Sequence, residues 1–225
     1  MKISIIIPVL NESALLQKQL EKLRPFRNLG NEVIVVDGGS DDDSREVARP
    51  LVDRVCHSSS GRSLQMNYGA GLASGEVLLF LHIDTSLPVD CAAQIAQVFE
   101  NSNRLWGRFD VRLSSDQGLL RVIPAAMNLR SHLTGVVTGD QAIFVRRQVF
   151  EEVKGYAPIP LMEDIELSKR LRRLSWPARI RQKAIASSRR WEQRGVLSTV
   201  LSMWWLRLLY FVGVSPKKLV IMYYK

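Results

Sequence analysis

The sequence predicts an α/β protein with a mostly parallel sheet flanked by helices. Two apolar runs, residues 3–9 and 33–37, are continuous enough to be strands buried on both faces. Strand-like and helix-like segments then alternate through the first hundred residues. Such alternation is typical of a parallel sheet covered by helices on both sides.

Each element has its own local pattern. Predicted strands cover residues 3–9, 33–37, 52–57, 76–83, 105–113 and 142–146. Asn11 is expected to cap a first helix whose leucines share one stripe. Further helices are predicted over residues 40–49, 63–73, 89–100, 117–131 and 161–174, the last opened by acids.

The chain of 225 residues contains no Gly-, Ser- or Pro-rich linker long enough to divide it. We therefore expect one domain over residues 1–194, with a nucleotide-binding half (1–104) and an acceptor half (105–194). Residues 195–225 are expected to add an amphipathic helical segment.

The net charge of +9 is concentrated in one stretch, residues 169–194, where ten Lys or Arg accompany only Glu192 as an acid. A basic surface suits phosphate-bearing partners, although a solvated basic face is the alternative. Nucleic acid is disfavoured, because aromatic residues do not interleave with the basic ones. Two separated cysteines and the absence of a signal-peptide pattern indicate a cytoplasmic protein.

The C-terminal segment from Gly195 is rich in apolar residues, including Trp204 and Trp205, but Arg207 interrupts it. The uncharged run is shorter than the roughly 20 residues that span a bilayer. Three interpretations stay open: a peripheral membrane helix, a contact with a second copy in a homodimer, and packing back onto the sheet.

The most informative motif is Asp37-Gly38-Gly39-Ser40, directly after the second strand. It places one carboxylate at the carboxyl end of a strand, where open α/β sheets bind ligands. An acid in this position is poorly suited to cradling phosphate and well suited to hydrogen-bonding a base or a ribose. The alternative is an ordinary helix cap.

No glycine-rich phosphate loop occurs in the sequence, so side chains and a metal are expected to hold the ligand. His82 and Asp84 lie at the end of the fourth predicted strand, and period-two geometry predicts that both point to one side. One imidazole, one carboxylate and a diphosphate together suit Mn²⁺ or Mg²⁺.

Glu163 and Asp164 begin a helix, where acids are favoured for structural reasons alone. Their position after a Pro-x-Pro loop also suits a general base in a cleft. Arg62 and Gln65 open another helix and could hold an anion or a base, and Arg190 could reach a diphosphate.

In order and spacing, these segments resemble family-2 glycosyltransferases with the GT-A fold. The residues that carry the resemblance are 4–12, 35–40, 81–85, 139–142 and 162–167. The resemblance implies inverting transfer of a sugar from a UDP- or GDP-sugar. His82 stands where the family's metal motif has its first acid, and this difference puts metal dependence in question.

The roles implied by the resemblance fall into four groups. Asp164, with Glu163 beside it, matches the catalytic base. The nucleotide-binding positions are Pro8, Asn11, Glu12, Asp37, Arg62, Gln65 and Arg190. The metal-binding positions are Asp84 and His82, and the acceptor-binding positions are Asp140, Gln141 and Trp191. The chain also looks like a small bacterial branch labelled arsenosugar-pathway or radical-SAM-associated transferases.

Two other functions remain open from the sequence. A nucleotidyltransferase would share the fold and the metal, but the glycine- and lysine-rich entry loop expected there is missing. A non-catalytic nucleotide-sugar binder or scaffold would explain His82, whereas the intact Glu163-Asp164 pair argues against it.

Overall fold

The computed structural model describes residues 1–115 and 118–224, with the side chains of all of these except 119, 190, 193, 194 and 224. In this part of the chain, eight strands form one sheet in the order β3-β2-β1-β4-β7-β6-β8-β5. The strands are β1 Ile3–Val9, β2 Glu32–Asp37, β3 Arg54–His57, β4 Val77–Phe80, β5 Thr85–Ser86, β6 Trp106–Leu113, β7 Phe144–Arg146 and β8 Ala178–Ala186.

Helices cover the sheet and extend beyond it at the C-terminal end of the chain. They are α1 Ser13–Glu21, α2 Arg24–Asn28, α3 Ser44–Ala48, α4 Arg62–Leu72, α5 Cys91–Asn101, α6 Val122–Thr134, α7 Arg147–Glu152, α8 Glu163–Leu174, α9 Arg189–Arg194, α10 Val196–Phe211 and α11 Pro216–Tyr224. Short 3₁₀ turns occupy Gly118–Arg121 and Gly139–Gln141.

The sheet is mostly parallel, as the alternation of elements predicts. Strands β1, β2, β3 and β4 are mutually parallel, and β6 is parallel to β8, while β7 and β5 pair in the antiparallel sense. Alternate residues of β1 enter two apolar cores, with Ile5 and Ile7 on one face and Ile6 on the other. Burial on both faces explains why β1 is a continuous apolar run.

The parallel register brings the carboxyl ends of β1 and β2 together, because Val9 lies opposite Asp37. Strand β4 lies on the other side of β1, and its chain continues past Phe80 to residues 82–84. The predicted ligand-binding segments therefore leave the sheet at one edge.

Two local predictions near this edge are wrong. Strand β4 ends at Phe80, so His82 and Asp84 lie in a turn closed by the Thr85 N–H and the His82 carbonyl, and period-two geometry does not apply to them. The helix predicted over 40–49 is only Ser44–Ala48. Asp42 accepts hydrogen bonds from the Ser13 and Ser44 N–H groups, which holds residues 41–43 outside the helix.

The first helix also begins differently from the prediction. Glu12, not Asn11, precedes α1, and Asn11 has a left-handed backbone with φ 54°. The Asn11 side chain accepts the Asp41 N–H at 2.8 Å, so it joins the loops after β1 and β2. Asparagine tolerates this backbone conformation better than most residues.

The predicted C-terminal helix is two helices, α10 and α11, joined through Gly213 with φ +91°. Leu206, Leu219 and Tyr223 are buried against Leu161 and Ile165 around the start of α8. The opposite face leaves large apolar side chains exposed, among them Leu201, Trp204, Trp205, Leu208 and Phe211. No described helix is long and apolar enough to cross a bilayer.

Candidate active site

Asp37 anchors the loop after β2 through hydrogen bonds. Its carboxylate is fully buried and accepts hydrogen bonds from the Gly39 N–H and from the Ser40 N–H and hydroxyl. Burial alone would raise the pKa of Asp37, but these hydrogen bonds outweigh it and hold the pKa below its ordinary value. The exposed His57 imidazole lies 3.6 Å away, at the surface of this loop.

Pro8 and Gln65 build the floor beneath this loop. Pro8 is buried in β1 opposite Val36. The Gln65 amide donates to the carbonyls of Val9 and Val36 at 2.9 and 2.8 Å. Both of its N–H groups are thereby engaged within the protein and tie the ends of the two central strands together.

Asn11 and Glu12 form the rim of the same end of the site. Asn11 is exposed, and Glu12 is half-buried with its carboxylate 3.9 Å from Arg189. Burial raises the pKa of Glu12, Arg189 opposes that shift, and the charge of Asp84 adds to it. The charges of Glu12 and Asp84 are therefore close enough to act on each other.

His82 lies against the turn at residues 139–141. Its Nδ1 is 3.5 Å from Asp140 Oδ1, and its ring packs so closely on Gly139 that a Cβ there would approach Nε2 to 2.3 Å. Burial disfavours the charged imidazole, but the contact with Asp140 outweighs it, so the pKa of His82 is raised. Gly139 is required by this close approach.

Glu163 and Asp164 begin α8 after Met162, whose backbone is left-handed with φ 68°. Glu163 is buried and faces Arg62 at 3.5 Å, whereas the half-buried Asp164 accepts the Gly139 N–H at 3.0 Å. Burial raises the pKa of Glu163, Arg62 opposes the shift, and the neighbouring Asp164 charge adds to it. Left-handed non-glycine residues are often found at functional sites.

Five of the sequence-predicted residues line one cavity of about 90 Å³. These are Arg62, His82, Asp140, Glu163 and Asp164. Side chains from α10 and α11 close it from the other side, namely Met203, Leu206, Arg207 and Tyr223. The volume is below the roughly 300–1,000 Å³ of typical ligand pockets, so substrate entry requires side chains to move.

Other predicted residues lie outside this cavity. Gln141 is fully buried, and its amide hydrogen-bonds Asn128, Ser131 and the Thr138 N–H. Trp191 packs in an apolar cluster with Val111 and Leu120. The side chain of Arg190 lies outside the described residues.

Arg130 on α6 belongs to none of the sequence motifs described above, and Arg207 on α10 is not among the predicted site residues. The sequence feature that could have identified Arg207 as a site residue is that it is the single charged residue in an otherwise uncharged, largely apolar helix. Nε and one terminal nitrogen of Arg130, and Nε of Arg207, are buried and donate no hydrogen bond to any described residue.

Asp84 is the residue here that fits a divalent cation. It is half-buried, and its Oδ1 lies 3.5 Å from the Thr85 hydroxyl. Mg²⁺ is commonly held by one or two carboxylates together with substrate phosphates. His82 does not fit, because its two nitrogens face Asp140 and Gly139. The described residues contain no group of three His, Cys, Asp or Glu that could hold a metal by themselves.

The fold and this cleft define an α/β protein with carboxylates and cations gathered at the carboxyl edge of its sheet. A family model described as glycosyl transferase family 2 matches residues 4–154. The chain belongs to this family.

Similar curated proteins carry related descriptions. An uncharacterized glycosyltransferase from Nostoc sp. (strain PCC 7120) is 26% identical over 177 residues, covering 71% of this chain and 55% of that protein. A PGL/p-HBAD biosynthesis glycosyltransferase from Mycobacterium tuberculosis (strain ATCC 25618) is 30% identical over 164 residues, covering 68% and 62%. The chain thus spans just over half to three fifths of these relatives.

Solved structures confirm the GT-A fold. S. aureus TarS in complex with UDP-GlcNAc superposes with a TM-score of 0.69 at 18% identity, covering 83% of this chain and 58% of that chain. The mannosyltransferase PcManGT from Pyrobaculum calidifontis, in complex with GDP-Man and Mn²⁺, gives 0.63 at 17% identity, covering 82% and 56%.

Proposed function

We propose that the chain transfers a sugar from a nucleotide-diphosphate sugar to an acceptor hydroxyl, with inversion at the anomeric carbon. The observation that carries the proposal is the cavity that unites Asp164 with Arg62, at the carboxyl edge of a family-2 fold. The nucleotide-sugars named with TarS and PcManGT support the choice of a UDP- or GDP-sugar donor.

The donor's nucleoside lies against Asp37 and the rim formed by Asn11 and Glu12. Its diphosphate runs toward Arg62, with Arg190 as a second cation. Asp84 would hold Mn²⁺ or Mg²⁺ together with diphosphate oxygens, and the bound cation would supply positive charge at the leaving group.

Asp164 acts as the general base in this proposal. The Gly139 N–H holds its carboxylate beside the cavity. The acceptor oxygen forms a bond to the anomeric carbon and gives its proton to Asp164. The bond from that carbon to the diphosphate breaks, and the nucleoside diphosphate leaves with the electron pair.

The exposed face of α10 and α11 supports peripheral attachment to an anionic membrane surface. Trp204 and Trp205 are 70% and 54% exposed, and Lys217 and Lys218 are exposed on α11. Paired indoles with nearby lysines suit a lipid interface.

We also propose that the chain belongs to the bacterial branch labelled arsenosugar-pathway or radical-SAM-associated transferases. This assignment is supported only by the sequence motifs that the chain shares with that branch.

The function is tested by measuring products from UDP-GlcNAc and GDP-Man with a panel of hydroxyl acceptors, in Mn²⁺, Mg²⁺ or EDTA. Release of a nucleoside diphosphate with a glycosylated acceptor of inverted configuration, seen by NMR, supports the proposal. Release of pyrophosphate from a nucleoside triphosphate would indicate a nucleotidyltransferase instead. Donor binding without turnover on any acceptor would favour a non-catalytic binder.

A further inference from the structure

Two half-buried arginines lie near the acids of the site with part of their hydrogen-bonding capacity unused. Nε and one terminal nitrogen of Arg130, and Nε of Arg207, are buried without an acceptor among the described residues. Buried polar groups in proteins are almost always hydrogen-bonded, so three unmatched donors at one place require an explanation.

The two side chains come from separate helices, and their charges are close enough to act on each other. Arg130 is on α6, and Arg207 is on α10, where it lines the cavity with Asp140 and Asp164. The negative charges of Asp164 and Asp140 stabilise the charged form of each guanidinium group. Those carboxylates attract the arginines through space but leave the three N–H groups unmatched.

Burial disfavours the charged form of both guanidinium groups. Burial is the main cause that lowers the pKa of Arg130 to about 10; the Arg207 charge acts in the same direction, and Asp164 and Asp140 oppose both effects within that value. Burial also lowers the pKa of Arg207. Two guanidinium groups that repel each other in a half-buried position are stabilised by an anion that accepts from both.

We propose that Arg130 and Arg207 form a subsite for a phosphate group on the acceptor. The inference rests on the proposed function, since it assigns the acceptor to the class of hydroxyl compounds that carry a phosphate. A phosphate has several acceptor oxygens and matches the planar fork of arginine. The phosphate belongs either to a small soluble ester or to a lipid headgroup; the exposed apolar side chains of α10, the helix that carries Arg207, are compatible with the lipid source.

Binding of phosphate probes to the full chain tests the subsite. Glycerol 3-phosphate, with glycerol as its neutral counterpart, represents the soluble source, and vesicles of phosphatidylcholine with or without phosphatidic acid represent the lipid source. Arg130→Gln and Arg207→Gln remove one guanidinium each. Arg173→Gln removes an exposed arginine of α8 and is the matched control.

We expect saturable binding of one probe, measured by calorimetry or vesicle sedimentation. Arg130→Gln and Arg207→Gln should each weaken it at least ~10-fold, the size expected for hydrogen bonds to a charged group. Arg173→Gln should bind like the wild type. Binding of glycerol 3-phosphate assigns the soluble source, and binding of phosphatidic acid vesicles alone assigns the lipid source.

Stability of the ligand-free variants separates a binding role from a structural one. If the arginines exist for a ligand, Arg207→Gln should leave the melting temperature unchanged or raise it, because it removes a buried cation with an unmatched donor. Equal probe binding in all four proteins, or no binding of either probe, would overturn the subsite. Nucleotide-sugar binding is measured separately on the wild type, so failure of the proposed function is recognised independently.

Discussion

The two ends of the cleft hold their charged side chains in different ways. At the proposed donor end, formed by the loops after β1 and β2, the Asp37 carboxylate is buried and accepts hydrogen bonds from Gly39 and Ser40. At the acceptor end, formed by residues 139–141, the start of α8, Arg130 and Arg207, charges are buried with incomplete hydrogen bonding.

This difference shows which end is complete without a ligand. Hydrogen bonds within the protein stabilise the ionised Asp37, so the donor end is preorganised. Burial acts against Glu163, Arg130 and Arg207, which lowers the stability of the free protein at the acceptor end. Such a trade of stability for binding is common at functional sites.

The largest effect is expected from Asp164→Asn, which removes the proposed base. Turnover should fall at least ~10²-fold, the usual contribution of general-base catalysis, while donor binding is kept. Rates of nucleoside diphosphate release, with donor affinity measured in parallel, check this. Glu163→Gln on the adjacent residue is the matched control and should lose less. Near-normal turnover of Asp164→Asn would remove Asp164 from the mechanism.

Asp37→Asn is expected to lower the stability of the folded protein by weakening the hydrogen bonds of the loop after β2. An amide has one acceptor oxygen for three donors and turns its own N–H groups toward them, at a cost of roughly 1–3 kcal/mol. The melting temperature should fall by roughly 2–12 °C, given about 2–4 °C per kcal/mol for a chain of this size. The exposed Asp43→Asn should change it little. An unchanged melting temperature for Asp37→Asn would contradict the hydrogen-bonded role.

A third prediction concerns the surface next to the acceptor end. Replacing Trp204 and Trp205 together by serine should weaken sedimentation with anionic vesicles at least ~10-fold, because two exposed indoles lose their apolar contact with lipid. Leu29→Ser, another exposed apolar residue, is the control. Loss of a dimer in sedimentation velocity, with vesicle binding intact, would assign this face to a second copy instead.

The smallest effect separates the two ends by the sign of their pH dependence. The pKa of Glu163 is raised in the folded protein. Its contribution to the free energy of unfolding is therefore fully present below 4.5, its pKa in the unfolded chain, and is lost as pH rises through the folded pKa. Asp37, with a lowered pKa, loses its contribution as pH falls below 3.8. Arg62, Asp164 and His82 are the charged groups facing Glu163.

Glu163→Gln should therefore gain stability relative to the wild type as pH rises above 4.5. Urea denaturation of both proteins at pH 4 to 8 gives the difference, in which contributions of other groups cancel. A difference that does not change with pH, or one that decreases, would contradict the raised pKa of Glu163.

The sheet was predictable because its strands are signalled locally. The buried faces of β1 require the isoleucine run, and the wrong strand end at residue 83 arose because Leu81 and Ile83 are buried in a turn rather than a strand. Hydrophobicity reports burial and does not distinguish these two conformations.

The site was predictable only in part, for a similar reason. Arg62, His82, Asp140, Glu163 and Asp164 follow strand ends or precede helices, and they converge as expected. The positions of Arg130 and Arg207 depend on how α6 and α10 pack in three dimensions, which no local pattern encodes.

The most direct test of the central claim is a thermal-shift comparison of nucleotide-sugars, nucleoside diphosphates and nucleoside triphosphates, each with and without Mn²⁺ or Mg²⁺. A ligand at about 100 times its Kd stabilises the folded chain by roughly 2.7 kcal/mol. The account predicts selective stabilisation by one UDP- or GDP-sugar and by the matching diphosphate. Stabilisation by triphosphates alone, or by none of these compounds, would contradict it.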